Sequence, residues 1–192
     1  MLSGAERARL EGFRSPDRRL GFALGRTAAR GLLARATGEA PESVRLNVAP
    51  DGSPVAPGRF VSIAHTGRGA AALGVAATAP VPVGIDAEAV AARRPDLWQR
   101  LLSPAEYAVL DAFGGPTDRS QTLLWALKEA VLKGQRTGFR AGARSVVLAL
   151  PDGTPEAGRV RAVAALSGAW EVAYATVGGA VVAVAWQEAP PA

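Results

Sequence analysis

The chain contains no cysteine, which removes disulfides, thiolate nucleophiles and thiolate metal ligands together. It has a single histidine, His65. With no cysteine beside it, that histidine argues strongly against a zinc site, so a metal would be held by oxygen ligands. No apolar run approaches the roughly 18 residues of a membrane span. The start, Met1-Leu-Ser-Gly-Ala-Glu-Arg7, lacks the apolar core of a secretory signal. These absences lead us to expect a soluble, cytoplasmic protein without a membrane partner.

Lysine is also scarce. Of the 22 basic side chains, only Lys128 and Lys133 are lysines, and both lie in Trp125-Ala-Leu-Lys-Glu-Ala-Val-Leu-Lys-Gly134. A chain that writes every other cation as arginine keeps the compact ammonium here. An ammonium follows a phosphoryl oxygen or shares a proton, whereas guanidinium is a rigid, always-charged fork. The stretch therefore reads as a reaction site. Its plain alternative is a helix whose Glu129 and Lys133 form an ordinary surface pair.

The 192 residues are 48% hydrophobic, enough for one domain or two small lobes with a real core. A formal charge of +5 and a pI near 10.6 favour an anionic partner, whether phosphate-rich small molecule, acidic protein or nucleic acid. The nucleic-acid reading rests on pI alone, because no helix-turn-helix, zinc or aromatic-basic RNA signature accompanies it. Arginines such as Arg7, Arg9, Arg159 and Arg161 read individually as solvated faces.

Leu20, Leu24, Ala28 and Leu32 fall at helical spacing and predict a helix from Asp17 to about Ala36, stopped by Gly38. Val44 to Val48 alternates as a strand, Pro50 to Gly58 is a turn-rich loop, and a strand from Phe60 to Ile63 ends at Ala64-His65-Thr66-Gly67. Strands are also expected over Ala70 to Ala77 and Val81 to Glu88. Beyond them, Asp96 to Leu102 reads as a short helix. Ser103-Pro-Ala-Glu106 carries the cap, first-turn proline and capping-box glutamate of a helix from Pro104 to Phe113. A long helix from Arg119 to Gln135 follows, with Leu124, Leu127 and Val131 on its buried face. Four strands close the chain, over Ser145 to Leu150, Val160 to Leu166, Trp170 to Val177 and Ala180 to Gln187, with Gly178-Gly179 as the last hairpin turn. The fold class is α+β, not a doubly wound sheet.

Phe22-Ala-Leu-Gly-Arg-Thr-Ala-Ala-Arg-Gly31 lies on Trp125–Gly134 without gaps at an offset of 125 − 22 = 103. The match suggests two similar lobes in a pseudo-twofold arrangement, an N-terminal lobe over 1–83 and a C-terminal lobe over 84–192, with a cleft between them. Arg26 stands where the second copy has Glu129. One lobe would then offer cations to phosphate and the other a carboxylate to metal.

In Gly84-Ile-Asp-Ala-Glu88 the two acids leave one face of a strand while Ile85 and Ala87 point to the other. Asp-x-Glu alone is a weak signal, since strand ends often carry solvated acids. Joined to Glu129 it becomes a set of three carboxylates suited to Mg²⁺, with Lys133 one turn beyond on the same helix face.

In these residues the chain resembles the 4′-phosphopantetheinyl transferases of the Sfp type. Gly84–Glu88 and Trp125–Lys133 match the family's ordered Gly-Ile-Asp-x-Glu and Trp-x-x-Lys-Glu-x-x-x-Lys. Ala64-His65-Thr66 corresponds to its Ser-His-Ser segment, and Leu102-Ser-Pro-Ala-Glu106-Tyr107 resembles its Phe-Ser-x-x-Glu-Tyr segment. The resemblance implies transfer of the 4′-phosphopantetheine arm from coenzyme A to a serine of an acidic apo acyl or peptidyl carrier protein, releasing adenosine 3′,5′-bisphosphate. It implies Mg²⁺ on Asp86, Glu88 and Glu129, phosphate stabilised by Lys133, and a serine proton taken by Glu129 or Glu106. It also implies coenzyme A contacts from His65 and Thr66, from Asp86 and Lys133 at the pyrophosphate, and from Arg26 and Arg30 at the adenosine-phosphate end. An internally duplicated cleft favours a monomer.

Two positions depart from the family pattern. Ser53 stands where a cation is usual, a loss that Arg59 or Arg68 could make good, and Ala64 replaces the first serine. Both departures motivate the alternative of a non-catalytic coenzyme A or carrier-binding module, against which the retained acids argue. Trp125 reads as core, and Glu106 has an equally good explanation as a capping residue.

Overall fold

A computed structural model of the chain describes residues 1–94, 97–98, 101–137 and 142–188. Helix α1 (Gly4–Glu11) begins at a capping box in which the Ser3 hydroxyl and the Glu6 carboxylate each take the other's backbone N–H. Its signature Ser3-x-x-Glu6 was legible in the sequence, but no apolar stripe accompanies it. Helix α2 (Pro16–Thr37) is capped by Ser15, has proline in its first turn and ends where Gly38 turns left-handed at φ 77°.

The first sheet is antiparallel, in the order β1 (Asn47–Val48), β2 (Pro54–Ala56), β3 (Arg59–Thr66), β4 (Leu73–Ala79). The expected strand over Val44 to Val48 shrinks to its last two residues for a physical reason. The carbonyls of Val44 and Leu46 accept from Arg30 Nη1 at 2.9 Å and Arg26 Nη2 at 3.2 Å, so guanidinium groups replace the ladder. The alternation still marks the buried side, since Val44 and Leu46 pack with Ala29, Leu33 and Val61 of α2 and β3. The strand expected from Ala70 instead starts at Leu73, after a 3-10 turn over Gly69–Ala71.

After β5 (Val83–Ala89), Leu97, Trp98 and Leu101 are helical and join the core, while residues 96, 99 and 100 of the expected helix lie outside the described residues. A 3-10 turn at Pro104–Glu106 leads into α3 (Tyr107–Ala112), and α4 (Asp118–Gly134) is the long helix expected. The remaining strands are β6 (Val146–Leu148), β7 (Asp152–Gly153), β8 (Ala157–Ala164), β9 (Gly168–Val177) and β10 (Ala180–Trp186). They build the second sheet in the order β5-β10-β9-β8-β6, with β7 on β8. Gly178 and Gly179 both have positive φ, as the tight β9–β10 turn requires.

One face of the second sheet packs on α4, whose Leu123, Leu124, Ala126, Leu127, Ala130 and Val131 are all sealed from solvent. Its other face, at Val83, Ile85 and Ala87 of β5, packs on Ala64 and Ala77 of the first sheet. Among the described residues no backbone ladder joins the two sheets. Instead Ser62 and Thr66 of β3 accept the N–H groups of Ile85 at 3.0 Å and Ala89 at 2.9 Å. Two hydroxyls thus stand in for ladder partners along β5.

Candidate functional site

Two glycines decide how closely β5 approaches α4. A methyl group at Gly84 would overlap the carbonyl of Ala130 and the amide of Gly134, and one at Gly134 would stand 2.5 Å from the Trp170 ring. Strand backbone therefore lies directly on helix backbone. The strand alternation then sends Asp86 and Glu88 to the α4 side, and helical spacing sends Glu129 and Lys133 back toward them. Asp86 accepts from Lys133 Nζ at 2.6 Å. Glu88 accepts from Arg93 at 2.7 Å through one oxygen and from the Trp125 indole N–H at 2.9 Å through the other. The Arg93 guanidinium also lies over the Trp125 ring, 5.4 Å from its centroid.

The acids are crowded and poorly solvated. Asp86 Oδ2 and Glu129 Oε1 are buried with no hydrogen-bond partner. Burial pushes the Glu129 carboxyl up to about 7, and the charge of Asp86 adds to it, while Lys133 offsets part of the rise and Glu88 adds a little more. Burial likewise raises Asp86, with Lys133 opposing it. Among the described residues no group of three or more acidic or histidine side chains is arranged to hold a metal ion. Asp86 is turned to Lys133, and Glu88 to Arg93 and Trp125. The donor set nonetheless suits a hard divalent cation, because it is all oxygen, mutually repelling and has two buried oxygens without partners.

Glu106, the other candidate base, lies outside this cluster. It is 0% exposed, and both its oxygens are engaged, by Lys128 Nζ at 2.8 Å, the Ser103 N–H at 2.8 Å and the Leu148 N–H at 3.2 Å. Lys128, 1% exposed, also donates toward the carbonyls of Leu101, Ala143 and Val146. Burial lowers the Lys128 ammonium from its usual value, with Glu106 opposing. The pair ties α4 to β6, which is the end strand of the second sheet among the described residues.

Arg26 and Arg30 are likewise engaged within the protein. Arg30 donates to Glu6 at 2.6 Å and to the carbonyls of Pro41, Glu42 and Val44, and it is almost wholly buried. Arg26 Nε stands 2.7 Å from the other Glu6 oxygen, close enough for an ion pair though not aligned as a hydrogen bond. Burial pushes the Glu6 carboxyl up, but the bonds from Arg30 and Ser3 and the charge of Arg26 outweigh it and leave Glu6 lowered. One carboxylate thus pairs with both of the cations that were expected to face coenzyme A, and the group keeps a net positive charge. Leu2-Ser-Gly-Ala-Glu6 and Leu102-Ser-Pro-Ala-Glu106 repeat this device, each a capping box whose buried glutamate grips a cation on the next long helix.

His65 is exposed near the end of β3, its ring lying against Gly21 of α2, where a methyl group would come within 2.7 Å of Nδ1. Thr66 accepts from Ala89 and so sits beside the end of β5. Of the two arginines offered as substitutes at Ser53, Arg59 donates to Thr78 and Arg68 makes an exposed 3.8 Å pair with Asp17. Trp125 and Arg93, by contrast, were missed. Trp125 is half-buried and orients Glu88, and its signal was an indole N–H placed four residues before Glu129 on the same helix face.

No curated protein matches the chain. Residues 82–185, which run from the start of β5 to the last strand and make up slightly more than half of the chain, match the family model of the 4′-phosphopantetheinyl transferase superfamily. That span contains every acid of the cluster together with Lys133, and the chain belongs to the 4′-phosphopantetheinyl transferase superfamily.

Proposed function

We propose that the chain is an Sfp-type transferase that moves the 4′-phosphopantetheine arm of coenzyme A to a serine hydroxyl of an acidic apo carrier protein and releases adenosine 3′,5′-bisphosphate. The observation that carries this reading is the meeting of Asp86, Glu88, Glu129 and Lys133 between β5 and α4 inside the family-matched span. Asp86, Glu88 and Glu129 would hold Mg²⁺, which when bound supplies charge neutralisation to the pyrophosphate. Lys133, with 32% of its side chain exposed, is the mobile cation available to a phosphate oxygen. Glu106 is sealed by Lys128, so Glu129 is the carboxylate left to take the serine proton, directly or through water.

At the adenosine-phosphate end Arg26 and Arg30 would act with further cations, because Glu6 offsets only one of their two charges. Arg9 and Arg45 would supply them, because both line a cavity of about 410 Å³ together with Glu6, Arg26 and Arg30, and neither has an ion-pair partner among the described residues. His65 and Thr66 complete the coenzyme contacts at the end of β3. The basic surface favours encounter with an acidic carrier at low salt. We assign the activity to a cytoplasmic monomer.

Mixing the protein with coenzyme A, Mg²⁺ and an apo carrier, then weighing the carrier, tests the reading. A pantetheinyl mass gain that Glu129→Gln abolishes in a folded protein is expected. No gain across several carriers would sink the transferase assignment.

A further inference from the structure

Lys133 is held differently from the chain's other lysine. Lys128 is locked by a carboxylate and three carbonyls, whereas among the described residues Lys133 makes one hydrogen bond, 2.6 Å to Asp86, at the end of a partly exposed stem. Asp86 is 4% exposed and shares its surroundings with Glu129 and Glu88, so this carboxylate needs a cation whenever it is charged.

We infer that Lys133 is the resident counter-ion of Asp86, and that a divalent cation displaces it, freeing the ammonium for a phosphate of coenzyme A. The inference rests on the transferase reading above. An ammonium and a divalent ion on one buried carboxylate repel each other strongly, so the two occupy Asp86 in turn. A single point charge on a flexible stem leaves readily, while a guanidinium would grip both Asp86 oxygens as a fork. This accounts for lysine at position 133 in a chain whose other cations, Lys128 apart, are arginine. Metal loading and phosphate capture then become one event, since the ion that occupies the carboxylates also releases the cation.

The test uses the whole chain and Mn²⁺ alone, with binding followed by electron paramagnetic resonance and side-chain amines labelled with a small acylating reagent read by mass spectrometry. Lys128 serves as the buried internal reference. Labelling of Lys133 should rise several-fold with saturating Mn²⁺ and fall again when coenzyme A is added. Asp86→Asn should label fast with or without metal. Lys133→Met should bind Mn²⁺ about tenfold more tightly than the wild type, the factor expected if the ammonium holds the site roughly nine-tenths of the time. If Mn²⁺ binds while Lys133 labelling stays constant or slows, or if Lys133→Met binds Mn²⁺ no better, the exchange is refuted and the metal site stands. Absence of Mn²⁺ binding to the wild type would overturn the metal set and the exchange together.

Discussion

Lys128→Met probes the deepest charge in the molecule. Lys128 and Glu106 are 1% and 0% exposed, and the ammonium serves Glu106 and the carbonyls of Leu101, Ala143 and Val146. Methionine keeps the length of the stem, so packing changes little and the loss is electrostatic. Glu106 keeps only the N–H groups of Ser103 and Leu148. An unpaired buried carboxylate costs about 3–5 kcal/mol. Against a total stability of about 5–15 kcal/mol, that is a large share. It corresponds to a fall of about 6–20 °C in melting temperature for a chain of this size. Adding Glu106→Gln removes the stranded charge, and the double variant should recover at least about 1 kcal/mol relative to Lys128→Met alone. Urea titrations of the metal-free chain followed by tryptophan fluorescence measure both quantities. A single-variant loss below about 1 kcal/mol, or a double variant showing simple additive loss, would refute the view that this ion pair fastens α4 to β6.

Three further outcomes follow from the same geometry. In the metal-free protein Glu129 holds its proton up to about pH 7, whereas the unfolded chain releases it near 4.5. The native state therefore binds the extra proton in that window, and the wild type should lose stability relative to Glu129→Gln as pH rises through it, by about 3 kcal/mol at most. Denaturant midpoints of both proteins across that range check this, and a difference that grows in favour of the wild type contradicts it. Gly84→Ala should cost about 1–3 kcal/mol or more by forcing β5 off α4, and it should weaken Mn²⁺ binding as Asp86 moves from Glu129, measured by denaturation and by metal titration. Arg9→Ala and Arg45→Ala should each raise KM for coenzyme A with kcat little changed, and an effect confined to kcat would place the adenosine-phosphate end elsewhere.

The parts of this molecule legible in its sequence are those set by local rules. Apolar period bounded α2 and α4 to within a residue or two, helped at α2 by Gly38, because amphipathic stripes and a left-handed glycine act over one turn of chain. Strand alternation placed Asp86 and Glu88 on one face of β5, and helical spacing placed Lys133 one turn past Glu129, with no knowledge of what lay opposite. The fate of the charges was not local. Arg26, Arg30 and Lys128 look as available as Lys133 in the linear chain. They are spent on Glu6 and Glu106, which lie about 20 residues away in sequence and meet them only after the helices pack. Lys128 and Lys133 sit on different faces of one helix, and the tertiary fold turned the first toward β6 and the second toward Asp86. The sequence by itself determined the elements and which side chains share a face. Only the packed structure decided which cations pair with buried carboxylates away from the acid cluster and which one faces it, because charge pairing depends on distance in space and on lost solvent, and neither is encoded in residue spacing.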